Sequence, residues 1–174
     1  MWSEKGLKAL KIGVESLDDC STGKKIPDFV RQASMAVSRH LLADLQDFSS
    51  FPVDIDDLPI FTRLVLTAVR QIPTGSCMTY KEVAEKIGFP GAQRAVGIAL
   101  KRNPLPIVIP CHRVVGRHGI GGYSGFQGVE FKRWLLTIEG VLFANPRSVV
   151  YYYAGRQKAD AQSFISEGTR EIPR

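Results

Sequence analysis

Cysteine is scarce in this chain of 174 residues, and the three present, Cys20, Cys77 and Cys111, lie far apart. An odd number with no Cys-x-x-Cys pair argues against a disulfide framework and against a cysteine-rich zinc site. Histidine is equally sparse. His40, His112 and His118 show no ligand spacing, so no metal is expected, and at least one free thiol suits a reducing compartment. No stretch approaches the roughly 18 uninterrupted apolar residues of a membrane span. The opening Met1-Trp2-Ser3-Glu4-Lys5-Gly6 lacks the apolar core of a secretory signal. A cytoplasmic protein without membrane association is the expectation. Internal repeats and low-complexity tracts are also missing.

What is present reads as an ordinary globular protein, with 44% hydrophobic and 23% charged residues. The formal charge of +6 is unevenly spread. Residues 1–58 hold 7 basic and 10 acidic side chains, whereas residues 59–140 hold 11 basic and 4 acidic ones. The middle of the chain therefore carries the positive field. A polyanion such as nucleic acid is a reasonable partner, and a merely solvated basic surface is an equal alternative on charge alone.

Apolar periodicity predicts the elements. Leu7–Val14 is a candidate short strand, followed by a turn-rich stretch over Asp18–Lys25. Phe29, Ala33, Val37, Leu41, Leu42 and Leu45 recur at helical spacing, which predicts a helix over Pro27–Phe48. Ser49–Pro59, rich in aspartate and proline, reads as a linker. A second helix is expected over Ile60–Gln71, ending at Ile72-Pro73-Thr74-Gly75. Thr79 followed by Glu82 forms a capping box for a helix running to Ile87 and Gly88. Another helix spans Ala92–Lys101, so that two short helices flank a Gly-Phe-Pro-Gly turn, as in a helix-turn-helix. Leu105–Pro110 is expected as a buried extended segment delivering Cys111-His112-Arg113. A glycine-rich loop and a helix over Val129–Ile138 follow. The fold class expected is α+β: a small N-terminal α/β region over 1–58, a mainly helical domain with a helix-turn-helix and an active-site loop over 59–141, and an extension over 142–174. In that extension Val149–Tyr153 is a candidate strand.

Ile109-Pro-Cys-His-Arg-Val114 resembles the active-site motif of the O6-alkylguanine-DNA alkyltransferases, also called methylated-DNA–protein-cysteine methyltransferases. Arg94-Ala-Val-Gly97, Asn103-Pro104, Gly122-Tyr-Ser-Gly125 and Ile138-Glu-Gly140 extend the resemblance in order and spacing. It covers roughly Leu58 to Val141. The N-terminal 58 residues resemble the family only weakly, and Cys20 and His40 do not support the structural zinc some members hold there.

A free thiol is only a few per cent ionised at neutral pH, so nucleophilic attack on an alkyl carbon needs a base. His112 is the candidate, yet neighbours on an extended segment point to opposite sides. A bridging water or a sharp turn would be required. The resemblance implies the water-bridged arrangement, with Cys111 as acceptor, His112 as base and Glu139 orienting the imidazole. It implies that Tyr80 donates a proton to the departing guanine and that Asn103 organises the helix-turn-helix and active-site segments. Tyr123 and Ser124 match loop positions that close over the base, and Val114 and Pro106 complete the expected base pocket. The alkylated oxygen lies inside the duplex stack, so the nucleotide has to be extruded. Arg94 matches the intercalating arginine of a minor-groove recognition helix, and Ala95, Gly97 and Lys101 join it as expected DNA-binding positions. By helical spacing, however, Ala95 falls with Val96, Ala99 and Leu100 on the core side. Ile98 stands where the family commonly has a small residue.

The implied activity is a single-use transfer from O6-alkylguanine in double-stranded DNA to Cys111 by a monomer needing no cofactor, with alkylated thymine an open second substrate. Two rivals remain at this stage. A non-catalytic lesion binder of the same fold lacks the cysteine. A cysteine hydrolase using Cys111, His112 and Glu139 on small acyl substrates leaves the Arg94 helix unexplained.

Overall fold

The computed structural model describes residues 1–10, 26–117, 119–125, 128–145 and 148–151. Two short antiparallel strands, β1 (Trp2–Ser3) and β2 (Gly6–Leu7), open the chain. Helices α1 (Asp28–Leu41) and α2 (Ile60–Arg70) follow. Next come β3 (Met78–Thr79), α3 (Tyr80–Lys86) and α4 (Gln93–Lys101). A 3-10 turn at Cys111–Arg113 leads into β4 (Val114–Val115), and α5 spans Gly128–Ile138. The last described elements are β5 (Leu142–Asn145) and β6 (Ser148–Tyr151), an antiparallel pair. The architecture is α+β, with a small N-terminal region and a mainly helical body. Among the described residues no helix is long and apolar enough to cross a membrane.

One buried apolar cluster draws on both ends of this order: Leu7, Ala33, Val37 and Phe48 join Val65, Val83, Val96, Ile109 and Leu135. The expected linker is therefore a packed connection. Leu7 N–H donates to Pro52 O at 2.9 Å and Asp54 N–H donates to Leu7 O at 2.8 Å. Its aspartates are engaged too: Ser3 donates to Asp54, while Lys5 and Lys8 pair with Asp56 and Asp57. Acidic composition suggested a free linker; backbone pairing with β2 overrides it.

Helix α1 is shorter than its apolar pattern predicts, ending at Leu41 rather than Phe48. The chain turns at Ala43, which has a left-handed φ of 61°. Asp44 N–H reaches back to Arg39 O and Ala43 N–H to His40 O, both at 3.0 Å, closing the helix in a Schellman motif. The turn leaves Leu42 and Leu45 exposed, so those two leucines extended the periodicity without extending the helix. Helix α3 ends in the same motif, but with Gly88 (φ 81°) at the left-handed position. A Cβ there costs about 1 kcal/mol. Ala43→Gly is accordingly expected to raise unfolding stability by about 1 kcal/mol, measurable as a higher denaturant midpoint with unchanged slope.

The strand expected over Leu7–Val14 is seen only as Gly6–Leu7; residues 11–14 and the Asp18–Lys25 turn lie outside the described residues, as do Cys20 and His118. Of the Val149–Tyr153 run, β6 contains Val149–Tyr151.

Helices α3 and α4 meet around the turn at residues 87–92, and both pack on α2. Thr79 Oγ1 accepts from Glu82 N–H while Glu82 accepts from Thr79 N–H, which is the predicted capping box. Strand β3 pairs in parallel with β4, Met78 opposite Val114 and Thr79 opposite Val115. That pairing carries Tyr80, the first residue of α3, to the segment that bears Cys111.

Candidate active site

Leu105–Pro110 is not extended as expected. Its chain folds on itself, with Ile109 N–H donating to Leu105 O at 2.8 Å and Ile107 at a φ of 72°. Leu105, Ile107, Val108 and Ile109 are all buried, and the two flanking prolines exclude a regular helix. The result is a compact apolar turn that ends in the 3-10 turn of Cys111, His112 and Arg113. The turn does not bring the Cys111 and His112 side chains into hydrogen-bond contact: His112 Nδ1 has no protein partner, Cys111 Sγ included.

Asn103 ties this turn together. Its Nδ2 donates to Ile109 O at 2.8 Å and to Cys111 Sγ at 3.1 Å, while its Oδ1 accepts from Leu105 N–H at 3.0 Å. Burial pushes the Cys111 thiol up from its ordinary value. The Asn103 hydrogen bond and the Lys132 charge act in the opposite direction. The resting sulfur is therefore a thiol, held by a donor that favours the thiolate once it forms.

Behind the cysteine sits a buried charged cluster centred on Glu139. Its Oε1 meets His112 Nε2 at 3.0 Å and accepts from Arg113 Nη2 at 2.7 Å; its Oε2 accepts from Arg113 Nε at 2.9 Å. Arg113 also donates to Ile72 O at 2.6 Å and Thr74 Oγ1 at 3.0 Å. Burial pushes the Glu139 carboxyl up, but His112, His40 and Arg113 outweigh it and hold the group well below the usual carboxylate range. For His112, burial lowers the pKa despite the Glu139 carboxylate. A neutral imidazole donating from Nε2 to Glu139 has its lone pair at Nδ1, and Nδ1 has no protein partner. The base is poised.

On the other side of Cys111 a cavity of about 450 Å³ opens between the helix-turn-helix and the glycine-rich loop. Tyr80, Tyr123 and Ser124 line it with Cys111, and Arg94, Gly97, Ile98 and Lys101 of α4 form its rim. The volume suits a flat heterocycle. Tyr80 Oη donates to Gly122 O at 3.3 Å, and burial followed by the nearby Cys111 raises its pKa, keeping the phenol protonated. Burial likewise raises the Tyr123 hydroxyl, which sits beside Cys111 without a hydrogen bond of regular geometry. Gly121 holds a φ of 73°, and a Cβ there would lie 3.0 Å from the Tyr80 ring and 3.2 Å from Gly116 N. Any larger residue would push on the cavity wall.

Eight of the expected residues thus converge on one cavity: Cys111, Tyr80, Tyr123, Ser124, Arg94, Gly97 and Lys101 line it, and Asn103 supports its sulfur. Val114 and Pro106 do not line it. The Val114 side chain is fully buried in the apolar core, and Pro106 belongs to the folded turn, where it bridges Ile109. Ala95 is exposed rather than turned to the core, a correction to the helical-spacing reading: α4 buries only the narrow stripe Val96, Ala99 and Leu100. Ile98 is half exposed on the cavity rim.

Three further buried polar residues, Arg113, Lys132 and His40, support the site. Arg113 clamps Glu139. Lys132, fully buried, donates from Nζ to Val114 O at 2.6 Å and Gly122 O at 3.3 Å, and sits 5.9 Å from the Tyr80 ring centre. Burial lowers its pKa to about 8. His40, from α1, meets Glu139 Oε1 at 3.0 Å. A signal existed for two of them: Lys132 shares the face of Leu135, Leu136 and Glu139, and His40 that of Ala33, Ala36 and Val37. Among the described residues no group of His, Cys, Asp or Glu could hold a metal ion.

A helix-turn-helix set beside a cavity lined by a cysteine thiol defines the class of fold. The family model described as 6-O-methylguanine DNA methyltransferase, DNA binding domain, matches residues 60–141. A methylated-DNA–protein-cysteine methyltransferase of Methanosarcina acetivorans is 36% identical over 143 residues, covering 79% of this chain and 87% of that protein. One of the same name from Metallosphaera sedula is 46% identical over 105 residues, covering 57% of this chain and 65% of that protein. Among solved structures, Mycobacterium tuberculosis OGT in complex with DNA aligns with a TM-score of 0.58 at 38% identity, covering 62% of this chain and 64% of that one. The O6-methylguanine-DNA methyltransferase of Pyrococcus kodakaraensis aligns with a TM-score of 0.55 at 37% identity, covering 70% and 68%. The chain belongs to the methylated-DNA–protein-cysteine methyltransferase family. It spans just under two thirds of the Metallosphaera relative and most of the Methanosarcina one.

Proposed function

We propose that this chain repairs double-stranded DNA by moving an alkyl group from O6 of a flipped guanine to Cys111 Sγ, once per molecule. The observation that carries the reading is the position of Cys111: its sulfur lies at the base of a cavity rimmed by α4, with a partner-free imidazole nitrogen on the adjacent residue. DNA docks along α4, with Arg94 entering the stack in place of the extruded nucleotide and Lys101 meeting phosphate. Exposure of Arg94, Ala95, Ile98 and Lys101 on one side of the helix supports this placement. So does the DNA complex solved for the Mycobacterium tuberculosis relative.

In the transfer step the thiol proton passes through a bridging water to Nδ1 of His112, and Glu139 stabilises the imidazolium that forms. Sulfur attacks the alkyl carbon, the carbon–O6 bond breaks, and its electron pair stays on guanine. The hydroxyl hydrogen of Tyr80 meets the negative charge that develops on the purine. Lys132 adds a positive charge behind the Tyr80 ring. The product is a thioether, whose carbon–sulfur bond none of these steps breaks. Each molecule therefore acts once.

Counting transferred label tests the reading. A duplex bearing O6-methylguanine with a labelled methyl group, in excess over protein, should load one methyl per chain and then stop. Cys111→Ala should load none while still binding the duplex. Continued release of methyl into solution, or equal loading of the alanine variant, would remove the proposal.

A further inference from the structure

One buried imidazole plays no part in the steps above. His40 lies in the last turn of α1 with Nε2 3.0 Å from Glu139 Oε1. The same oxygen meets His112 Nε2 at 3.0 Å and Arg113 Nη2 at 2.7 Å. We propose that His40 is a positioning residue of the transfer site: from the N-terminal helix it holds the Glu139 oxygen that orients His112.

The surroundings of His40 define its role as a donor. Gln46 N–H donates to its Nδ1 at 3.2 Å, so Nδ1 is an acceptor and the ring hydrogen sits on Nε2, aimed at Glu139. Phe48 closes the other side edge-on, with ring centres 5.3 Å apart. Both residues are delivered by the left-handed turn at Ala43, which reverses the chain directly after α1. That turn therefore serves the active site as well as the helix end.

A carboxylate oxygen offers about two lone-pair directions. Three donors on Oε1 share its charge, so each receives less of it. With His40 in place, the pull of Glu139 on His112 is moderated and the direction of that pull is fixed. The imidazole then stays neutral at rest with Nδ1 free for the thiol proton. The charged and titratable groups facing Glu139 are His40 from α1, His112 and Arg113 from the 3-10 turn, and Cys77 just before β3. His40 is the one supplied by the N-terminal region, the part of the chain whose sequence resembles the family least. Docking of α1 thereby becomes a condition for the geometry of the base.

This inference rests on the alkyl-transfer reading, and the experiment separates the two. Single-turnover methyl transfer from an O6-methylguanine duplex is followed against pH for the full-length chain and for His40→Leu, His40→Asn and His40→Gln. Leucine keeps the burial and removes the donor, asparagine is too short to reach Oε1, and glutamine places an N–H near the position of Nε2. Leucine and asparagine should slow transfer about 10- to 100-fold with duplex affinity unchanged. They should also move the acid limb of the rate upward by about one pH unit, because Glu139 then stabilises the His112 imidazolium more strongly. Glutamine should restore both rate and limb. A purely structural His40 would reduce the amount of folded protein without moving the limb. If the leucine variant does not fold, the asparagine and glutamine pair decides. Equal rates and limbs in all variants, or equal loss with asparagine and glutamine, would overturn the role of His40 alone. A wild-type chain that accepts no methyl group would overturn the transfer reading and this inference together.

Discussion

Glu139→Gln is expected to cost the protein about 3–5 kcal/mol of unfolding stability, the largest loss from any single substitution considered. Glu139 has no exposed side-chain surface, and it receives two guanidinium bonds from Arg113. Replacing the carboxylate with an amide removes the negative charge that balances the buried Arg113 and leaves one acceptor oxygen where there were two. It also sets an N–H group against at least one existing donor, Arg113 Nε at the Oε2 position. The pH dependence has a definite sign. Because the folded protein holds the Glu139 carboxyl well below its usual range, its contribution is complete above the unfolded carboxylate value of about 4.3. It is lost progressively as the pH falls below that. Denaturation curves of wild type and variant should therefore differ most near neutrality and approach each other in acid. A loss below about 1 kcal/mol at neutral pH would mean that Arg113 is satisfied without the carboxylate.

His112→Phe is expected to slow alkyl transfer by about 10²- to 10⁴-fold while leaving DNA binding intact, because His112 lies away from the α4 rim. Burial holds the His112 pKa below its ordinary value of about 6.5, so the neutral base persists at and below that pH. The wild-type rate should stay level from neutrality down past pH 6.5 and fall only as the pH drops through the depressed value. In the phenylalanine variant this limb should vanish. Transfer would then depend on spontaneous ionisation of a thiol that burial pushes up, and the rate should still be rising in the alkaline range. Single-turnover rates measured across pH check both statements. A variant that kept the acid limb would show that another group takes the thiol proton.

The helix-turn-helix was legible because its signals are local. Thr79 and Glu82 cap α3, Gly88 closes it, and Asn103-Pro104 stops α4, each through bonds within a few residues. The cavity was legible through motif spacing: Cys111, Tyr80, Asn103, Tyr123 and Arg94 were all placed from the sequence and all come together. Other features depended on contacts that no local pattern carries. The length of α1 was overestimated because Leu42 and Leu45 sustain the apolar period beyond a turn that serves to bury His40. Leu105–Pro110 read as extended because two prolines exclude a helix, whereas the buried residues are satisfied by a folded turn. The acidic connection read as a linker, although strand β2 had claimed its backbone.

The Glu139 cluster was half visible. The family motif points to its carboxylate and to His112, but not to the roles of Arg113 and His40. Both arrive through burial at a distance, 26 and 99 residues from Glu139 along the chain. A polar or ionisable residue on the apolar stripe of an amphipathic helix is the clue in such cases. Lys132 and His40 each occupy one.

Peptide-level mass spectrometry of the protein after reaction with an O6-methylguanine duplex tests the central claim most directly. Cys77 supplies an internal control, since burial raises its thiol to about 12 and leaves it inert. A gain of one methyl group on the peptide containing Cys111, with the Cys77 peptide unmodified, is the predicted result. Methylation shared between the two cysteines, or an unmodified Cys111 in protein that has depleted the lesion, would contradict it.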